Sequence, residues 1–444
     1  MIKAIFTNTT GILFSRITGF IRDLLTASIL GVNIYSDIFF VAFQFPNLFR
    51  RVFGEGAFSQ TFLPTFIRVR KKGLFSASIF YRLVSAILIL TILVYIFDSE
   101  VTKMIAIGFD SETIEKASTF VKINFWYLLL VFFTTFLSAL LHYREHFATT
   151  AYSTALLNIS LISALLLSKG GDGEQIVYFL SYGVLIGGLL QVIAHLIAIR
   201  IYSMDRVFFG GLLRLNKLDE VESETKGFFK RFLFAIWGGG TAQISSFLDT
   251  LLASLLTTGS ISYLYFANRV FQFPLALFAI ATTTAIFPRV SKYIKVGNQE
   301  KAEELFREGF WILLSLLSIA TIIGILFSEE IVSLLFERGA FGEEDRIATA
   351  QVLRYYLFGL VIFGIAKLFS LWLYAHEKMD ISARISTYSL IVKMVSAPIL
   401  VYLLNMGVAG LAFSTTISSG VVLVLTLREF GWKRFGKIFT KEKI

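Results

Sequence analysis

The chain contains no cysteine, which removes disulfides, thiolate metal sites and a cysteine nucleophile together. Histidine is nearly as scarce, with four in 444 residues. Two of these, His142 and His146, stand at i and i+4 in a basic connection without a third ligand, so no metal site is expected. No His-Glu-x-x-His, Gly-x-Ser-x-Gly or phosphate-loop pattern occurs, and no aspartate-rich cluster that would hold Mg²⁺. Charge is also short. Only 16% of residues are Asp, Glu, Lys or Arg, whereas a soluble domain carries about a quarter.

What fills the space is apolar. A 56% hydrophobic share and a mean hydropathy of +0.72 point to lipid as the solvent. Runs of about 20 apolar residues are long enough to cross the hydrocarbon as helices. The clearest are 81–97, 119–141, 147–168, 176–202, 232–257, 259–287, 309–328, 352–375, 385–404 and 407–427. The first 66 residues add two more, spotted with charge, for an expected twelve. Met1-Ile2-Lys3, followed by Thr7, Asn8 and Thr9, lacks the order of a cleavable signal and reads as the start of the first span.

Lys and Arg are retained on the cytoplasmic side of membranes. With the N-terminus inside, the outer connections read Asp98-Ser99-Glu100, Asp110-Ser111-Glu112, Asp172-Gly173-Glu174, Glu329-Glu330 and Glu343-Glu344-Asp345. The inner ones carry Arg68 to Lys72, Arg144, Arg200 to Arg231, Arg289 to Arg307, Lys378 to Arg384 and a tail with Lys433, Arg434, Lys437, Lys441 and Lys443. Both termini are then cytoplasmic. The net charge of +10 lies mostly in those inner loops, where it sets topology and meets anionic lipid heads, so no nucleic-acid partner is implied.

Four of the five prolines fall at corresponding places of two halves. Asp23 opens Asp-Leu-Leu-Thr-Ala-Ser-Ile-Leu-Gly and leads to Phe43-Gln44-Phe45-Pro46, then Pro64; Asp249 opens Asp-Thr-Leu-Leu-Ala-Ser-Leu-Leu and leads to Phe271-Gln272-Phe273-Pro274, then Pro288. This predicts an all-α polytopic membrane protein of two pseudo-symmetric six-helix lobes around a central cavity, with proline-broken helices building the site. The lobes are expected at 1–202 and 232–444, joined by a polar, amphipathic cytoplasmic linker at 203–231. An even span count in each half makes the repeats parallel. The glycine clusters Gly187-Gly188 and Gly238-Gly239-Gly240 read as close helix approach, since no strand precedes them to build a nucleotide fold.

Charge inside such spans carries the chemistry. Each ionised group at mid-bilayer costs about 2.5–3.5 kcal/mol on insertion scales, so it is expected to face protein or water. Ser15-Arg16-Ile17-Thr18-Gly19-Phe20-Ile21-Arg22-Asp23 sets two arginines and an aspartate in the first span. On a helical wheel Arg16, Gly19 and Asp23 share one face and Arg22 points elsewhere, towards the Ser15 face. In the second span Asp37, Gln44, Asn47, Arg51 and Glu55 fall within an arc of roughly 80°. Pro46 can kink or rotate the lower half, so the wheel does not decide between Arg50 and Arg51. The second lobe supplies Asp249 and Arg269, with Gln272 beside the proline. Lys367 and Lys393 are also intramembrane, as cavity residues or as snorkelling side chains. Four guanidiniums exceed what Asp23 and Asp249 neutralise, so an anion is wanted. The planar fork of arginine suits phosphate or diphosphate oxygens.

Five stretches carry a resemblance. Ser15-Arg16-x-x-Gly19-Phe20-x-Arg22-Asp23 is followed by Asp37-x-Phe39-x-Val41-Ala42-Phe43 and Pro46-Asn47-Leu48-x-Arg50-Arg51-x-Phe53-x-Glu55-Gly56-Ala57-Phe58-Ser59-Gln60. With Leu334-Leu335-Phe336-Glu337-Arg338-Gly339-Ala340-Phe341 and Leu156-Leu157-Asn158-Ile159, this resembles the MurJ (MviN) family of lipid II flippases over essentially the whole chain. The resemblance implies the multidrug, oligosaccharidyl-lipid and polysaccharide exporter superfamily and a cationic cavity. It implies movement of undecaprenyl-diphosphate-linked glycopeptide from the inner to the outer leaflet of the bacterial cytoplasmic membrane for peptidoglycan synthesis. It implies no enzymatic step, no cofactor, and a monomer among membrane lipids. Carried over by position, the substrate-binding arginines are Arg16, Arg22, Arg50 and Arg269. Ser15, Asp23, Asp37, Arg51, Glu55, Asp249 and Gln272 are the supporting or gating residues.

Three departures from the family pattern stand out. Where many members place acids around the second-lobe arginine, this chain has Asn268 and Gln272. Many carry two further spans, whereas this sequence stops soon after the twelfth. Some hold sodium in the second lobe through an aspartate that matches Asp249; its other ligands are not matched, and Lys393 opposes a cation, so a coupling ion stays open. The alternatives are an ion-coupled drug exporter or exporter of another polyprenyl-diphosphate oligosaccharide of the same superfamily, an enzyme acting on polyprenyl phosphates, and a structural scaffold. Cation exporters want acidic and aromatic walls, and a scaffold leaves the buried charges unexplained.

Overall fold

A chain dissolved in hydrocarbon must satisfy its backbone N–H and C=O groups internally. In the computed structural model, which describes residues 2–51 and 57–439, every regular element among those residues is helical. Two units are distinguished, Met1–Gln243 and Ile244–Ile444. The first holds α1 (Ile2–Leu30), α2 (Ile34–Phe49), α3 (Phe58–Arg68), α4 (Lys72–Ile96), α5 (Asp98–Ile105), α6 (Ser111–Phe125), α7 (Tyr127–Tyr143), α8 (Ala148–Leu167), α9 (Gly173–Ile201), α10 (Asp205–Leu212) and the start of α11 (Glu222–Ser254). The second holds the end of α11, α12 (Ser260–Pro274), α13 (Ala281–Lys295), α14 (Gln299–Leu326), α15 (Ser328–Phe336), α16 (Glu343–Leu357), α17 (Leu360–Ala375), α18 (Met379–Pro398), α19 (Gly407–Phe430) and α20 (Trp432–Ile438).

Local chemistry sets the ends. Gly31, at φ 69°, stops α1 by donating its N–H back to Ala27 O at 3.0 Å. Asn33 opens α2 with a capping box: its Oδ1 accepts from Tyr35 N and Ser36 N, while Ser36 Oγ accepts from Asn33 N. Asp110 and Asp172 cap α6 and α9 through Thr113 N and Gln175 N, each at 2.8 Å. Asp98 and Glu100, Glu329 and Glu330, and Glu343, Glu344 and Asp345 occupy the first turns of α5, α15 and α16. The acids read as outer-loop charge thus also start helices, where the macrodipole favours them.

The prolines do the same thing in both halves. Pro46 lies inside α2 and the chain widens into a π-type turn at Arg50 and Arg51; Pro274 lies inside α12 and a π-type turn, Leu275–Ile280, follows. Pro64 and Pro288 lie inside α3 and α13. The fifth, Pro398, precedes a third such turn, Ile399–Leu403. A missing donor inside a helix is accommodated by this local rewinding.

Among the described residues eight helical stretches are long and apolar enough to cross a membrane, or nine if α16 and α17, bent by 41°, make one broken span. The expected spans that fail this test are the charge-bearing ones, in α1, in α2 with α3, and in α11, so length and hydropathy alone do not establish twelve. Outward faces are apolar: Ile89, Ile92 and Leu93 on α4, Ile186, Leu189, Ile193 and Ile197 on α9, and Ile319, Ile322 and Ile323 on α14 are all exposed. Interiors hold polar groups. Asn124 Nδ2 donates to Ser181 Oγ at 2.8 Å, and Ser138 Oγ bonds His195 Nε2 at 2.9 Å, all four residues buried.

Aromatic rings bind the start of α11 to the first unit. Phe228 and Phe232 meet Phe58 edge-on at centroid distances of 5.8 and 5.9 Å, and Arg231 Nη2 donates to Thr65 Oγ1 at 2.8 Å. Residues 203–231 are therefore ordered as α10, a 3₁₀ turn at Leu215–Val221 and the first turns of α11, with Lys71 paired to Glu220 and Arg82 to Glu222. In the second unit Phe306, Phe369, Trp372 and Phe430 form the corresponding ring cluster.

Candidate functional site

In the first unit the site grows from the contact between α1 and α8. Arg22 Nη2 and Nε donate to Asp23 Oδ1 at 2.7 and 3.1 Å, and Nη1 donates to Asn158 Oδ1 at 3.0 Å. Asn158 in turn donates from Nδ2 to Ser15 O at 3.0 Å and to Thr18 Oγ1 at 3.2 Å, which fixes the orientation of its amide. Gly19 leaves room for this: a Cβ there would meet Asn158 Nδ2 at 3.3 Å. Arg22 keeps 14% of its side chain exposed and Asp23 5%. A charged pair this dry needs added hydrogen bonds, and Asn158 supplies one.

Arg50 lies in the widened turn after Pro46, where its Nε donates to Asn47 Oδ1 at 3.1 Å. Tyr127, fully buried, lies within electrostatic reach of both Arg22 and Arg50, and its hydroxyl donates to Gln191 Oε1 at 3.3 Å. Arg22 and Arg50 thus both exert their charge on the buried Tyr127 hydroxyl. The tight helix approach expected at Gly187-Gly188 is found beside it: a Cβ on Gly187 would lie 2.9 Å from Leu157 Cα, and one on Gly188 would lie 2.6 Å from Tyr127 Cδ2.

Other expected residues are placed as follows. Arg16 is exposed on α1, and Ser15 Oγ donates to Ala151 O at 2.9 Å, bracing α1 against α8. Asp37 is 3% exposed in the first turn of α2. Arg51 is half-buried in the widened turn. Glu55 lies outside the described residues. Since Arg22 and Ser15 both meet α8 through Asn158, Arg22 lies towards the Ser15 face, as the helical wheel has it. Its long side chain folds back to its neighbour's carboxylate and to the asparagine that covers Gly19.

In the second unit Arg269 lies on α12 with its guanidinium 4.8 Å from the Tyr265 ring centroid, and Nη2 donates to Tyr265 Oη at 3.0 Å. Gln272 is exposed and donates to Asn268 Oδ1 at 2.8 Å, so the two amides that stand in place of acids bond each other. Asp249 is held by Lys393, whose Nζ is 2.6 Å from Oδ2. Lys393 is thus an internal ion-pair partner with 1% of its side chain exposed, not a snorkelling one, while Lys367 is exposed on α17.

A family model described as Lipid II flippase MurJ matches residues 26–441. The chain belongs to the MurJ family. A relative from Helicobacter pylori strain J99, named probable lipid II flippase MurJ, is 45% identical over 418 residues, covering 92% of this chain and 90% of the relative. One of the same name from Aquifex aeolicus is 33% identical over 419 residues, covering 93% and 80%. A solved lipid II flippase MurJ in an inward closed conformation superposes with a TM-score of 0.83 at 25% identity, covering 97% of this chain and 89% of that one. An inward-facing multidrug resistance MATE family transporter of the MOP superfamily gives 0.72 at 13% identity, covering 99% and 100%, which speaks for the fold. The relatives are named as flippases and the fold is that of transporters, so MurJ membership sets enzymatic readings aside.

Two residues of this MurJ-family site escaped the sequence reading of charge. Asn158 was visible only as part of a motif, and its role follows from a partner 136 residues away. Tyr127 reads in sequence as one more aromatic in an apolar run. An asparagine in the middle of the 147–168 stretch is the signal that was there, since an amide in hydrocarbon must find partners.

Proposed function

We propose that this chain flips lipid II, carrying the undecaprenyl-diphosphate-linked glycopeptide from the inner to the outer leaflet of the bacterial cytoplasmic membrane, with both termini inside. The observation that carries the proposal is the half-buried Arg22 guanidinium, shaped by Asp23 and Asn158, with the charge of Arg50 also felt at Tyr127. In the second unit Arg269 presents its guanidinium on a tyrosine platform. An anion with several oxygens is what such forks bind. By family position the diphosphate-binding residues are Arg16, Arg22, Arg50 and Arg269, with Asp23, Asp37 and Arg51 in support.

Transport is by alternating access of a monomer: the site loads from the inside, the two units exchange the side that is open, and the polyprenyl tail stays in lipid. A potential negative inside favours outward passage of a headgroup anion by about 2.3 kcal/mol per charge per 100 mV. No cofactor enters the scheme.

The MATE-like fold makes a drug exporter the natural control. Complementation of a strain depleted of its lipid II flippase, with labelling of outer-leaflet substrate, decides between them. Wild type restores growth and labelling, and Arg22→Ala and Arg269→Ala, at equal membrane levels, restore neither. Restored drug efflux without restored labelling would replace the reading by the exporter.

A further inference from the structure

The second unit contains a buried charge pair that the substrate chemistry does not use. Ser245 and Asp249 are one turn apart on α11, and Lys393 reaches them from α18: Nζ donates to Asp249 Oδ2 at 2.6 Å and to Ser245 Oγ at 2.8 Å. The Lys393 side chain is 1% exposed and that of Asp249 17%. Asp249 Oδ1 is buried without a hydrogen-bond partner. A carboxylate and a hydroxyl oxygen converging on one point form the oxygen cradle that a small monovalent cation takes, and an ammonium is a cation of that charge. Here it arrives on a four-carbon stem, so it cannot diffuse away.

Lys393 also sits little more than a turn before Pro398 and the π-type turn Ile399–Leu403. The pair therefore ties α11 to α18 close to where the latter's winding changes. A free ion would be loaded and released at such a place; a tethered one keeps the tie through every cycle.

We propose that Lys393 is a built-in counter-cation: its ammonium fills the Ser245 and Asp249 cradle, so no free Na⁺ or K⁺ binds there and this half of the protein needs none. The inference concerns ion use, and it holds or fails whatever substrate is carried. Its test is binding of radioactive Na⁺ to the purified full-length protein, together with unfolding midpoints in NaCl, KCl and choline chloride at equal ionic strength. Wild type is expected to show no Na⁺ binding that Asp249→Asn removes, and equal midpoints in the three salts. Lys393→Ala opens the cradle: it should gain about one Na⁺ per chain, a midpoint higher in NaCl or KCl than in choline by roughly 3–5 °C, and should lose both in Lys393→Ala with Asp249→Asn. Where Lys393→Ala does not fold, Lys393→Ser carries that arm. Na⁺ binding to wild type that depends on Asp249 would overturn the proposal, and so would a folded Lys393 variant indifferent to the cation.

Discussion

Asn158→Ala should uncouple Arg22 from α8, and the structure gives the size of the effect. The substitution removes three hydrogen bonds: the charge-assisted one from Arg22 Nη1, and those from Asn158 Nδ2 to Ser15 O and Thr18 Oγ1. The first is worth about 1.5–3 kcal/mol. The other two are interhelical bonds of the kind that average about 0.6 kcal/mol in membrane proteins. Thr18 Oγ1 keeps its bonds to Phe14 O and Ser15 O, so little further is stranded. The expected loss is about 3–4 kcal/mol. A cycle with Arg22→Ala, Asn158→Ala and the pair isolates the contact, because the cost of leaving Asp23 without Arg22 appears in both arms and cancels. Equilibrium unfolding in mixed micelles should give a coupling of about 1.5 kcal/mol, with lipid II flipping impaired in Asn158→Ala although the protein folds. Additive single effects, with coupling under about 0.3 kcal/mol, would refute the positioning role of Asn158.

Gly188→Ala places a Cβ 2.6 Å from the buried Tyr127 ring; overpacking of this kind costs about 1–3 kcal/mol, read as a lowered unfolding midpoint, and an unchanged midpoint would show that α7 and α9 have slack. Tyr265→Phe removes only the hydroxyl bonded to Arg269, and Tyr265→Ala removes the platform as well; transport should fall modestly in the first and severely in the second, and equal effects would mean the ring is not used. Outside the spans, burial raises the Asp98 carboxyl, but the Lys122 hydrogen bond at 2.7 Å, the Ser99 amide and the Lys122 charge outweigh it and hold the group below its ordinary 3.8. A depressed carboxylate contributes stability above its unfolded value and loses it as pH falls through the folded one. Asp98→Asn should therefore flatten the decline of stability below about pH 4 and leave a protein less stable at pH 7; identical acid profiles would show that the pair contributes nothing.

Much of this arrangement was legible because membrane helices are punctuated by few residues. The paired prolines announced two halves with rewound helices, and Pro46 and Pro274 are each followed by a widened turn. Apolar runs located the long helices because a spanning stretch has nothing else to be. The charge-bearing helices were harder, since α1 and α11 trade hydropathy for side chains that find partners inside the protein. A helical wheel placed Arg22 by its Cα direction, yet a guanidinium on a long stem reaches its i+1 neighbour and a helix far along the chain. Lys393 was ambiguous for the same reason: sequence shows that a lysine lies deep, and only the fold shows Asp249 waiting for it. Hydropathy likewise could not say that residues 222–231 continue into α11 as one helix held by Phe228 and Phe232.

The proposed flipping rests on recognition of the lipid II diphosphate by arginine forks. Binding of lipid II to the purified protein, followed by native mass spectrometry for wild type, Arg22→Lys, Arg269→Lys and the double variant, tests it most directly. A point charge does not reproduce the arginine fork, so each single variant should bind about tenfold more weakly, with the double variant little worse than the weaker single one. Wild-type affinity in either single variant, or unchanged binding of a monophosphate analogue in place of the diphosphate, would contradict the account.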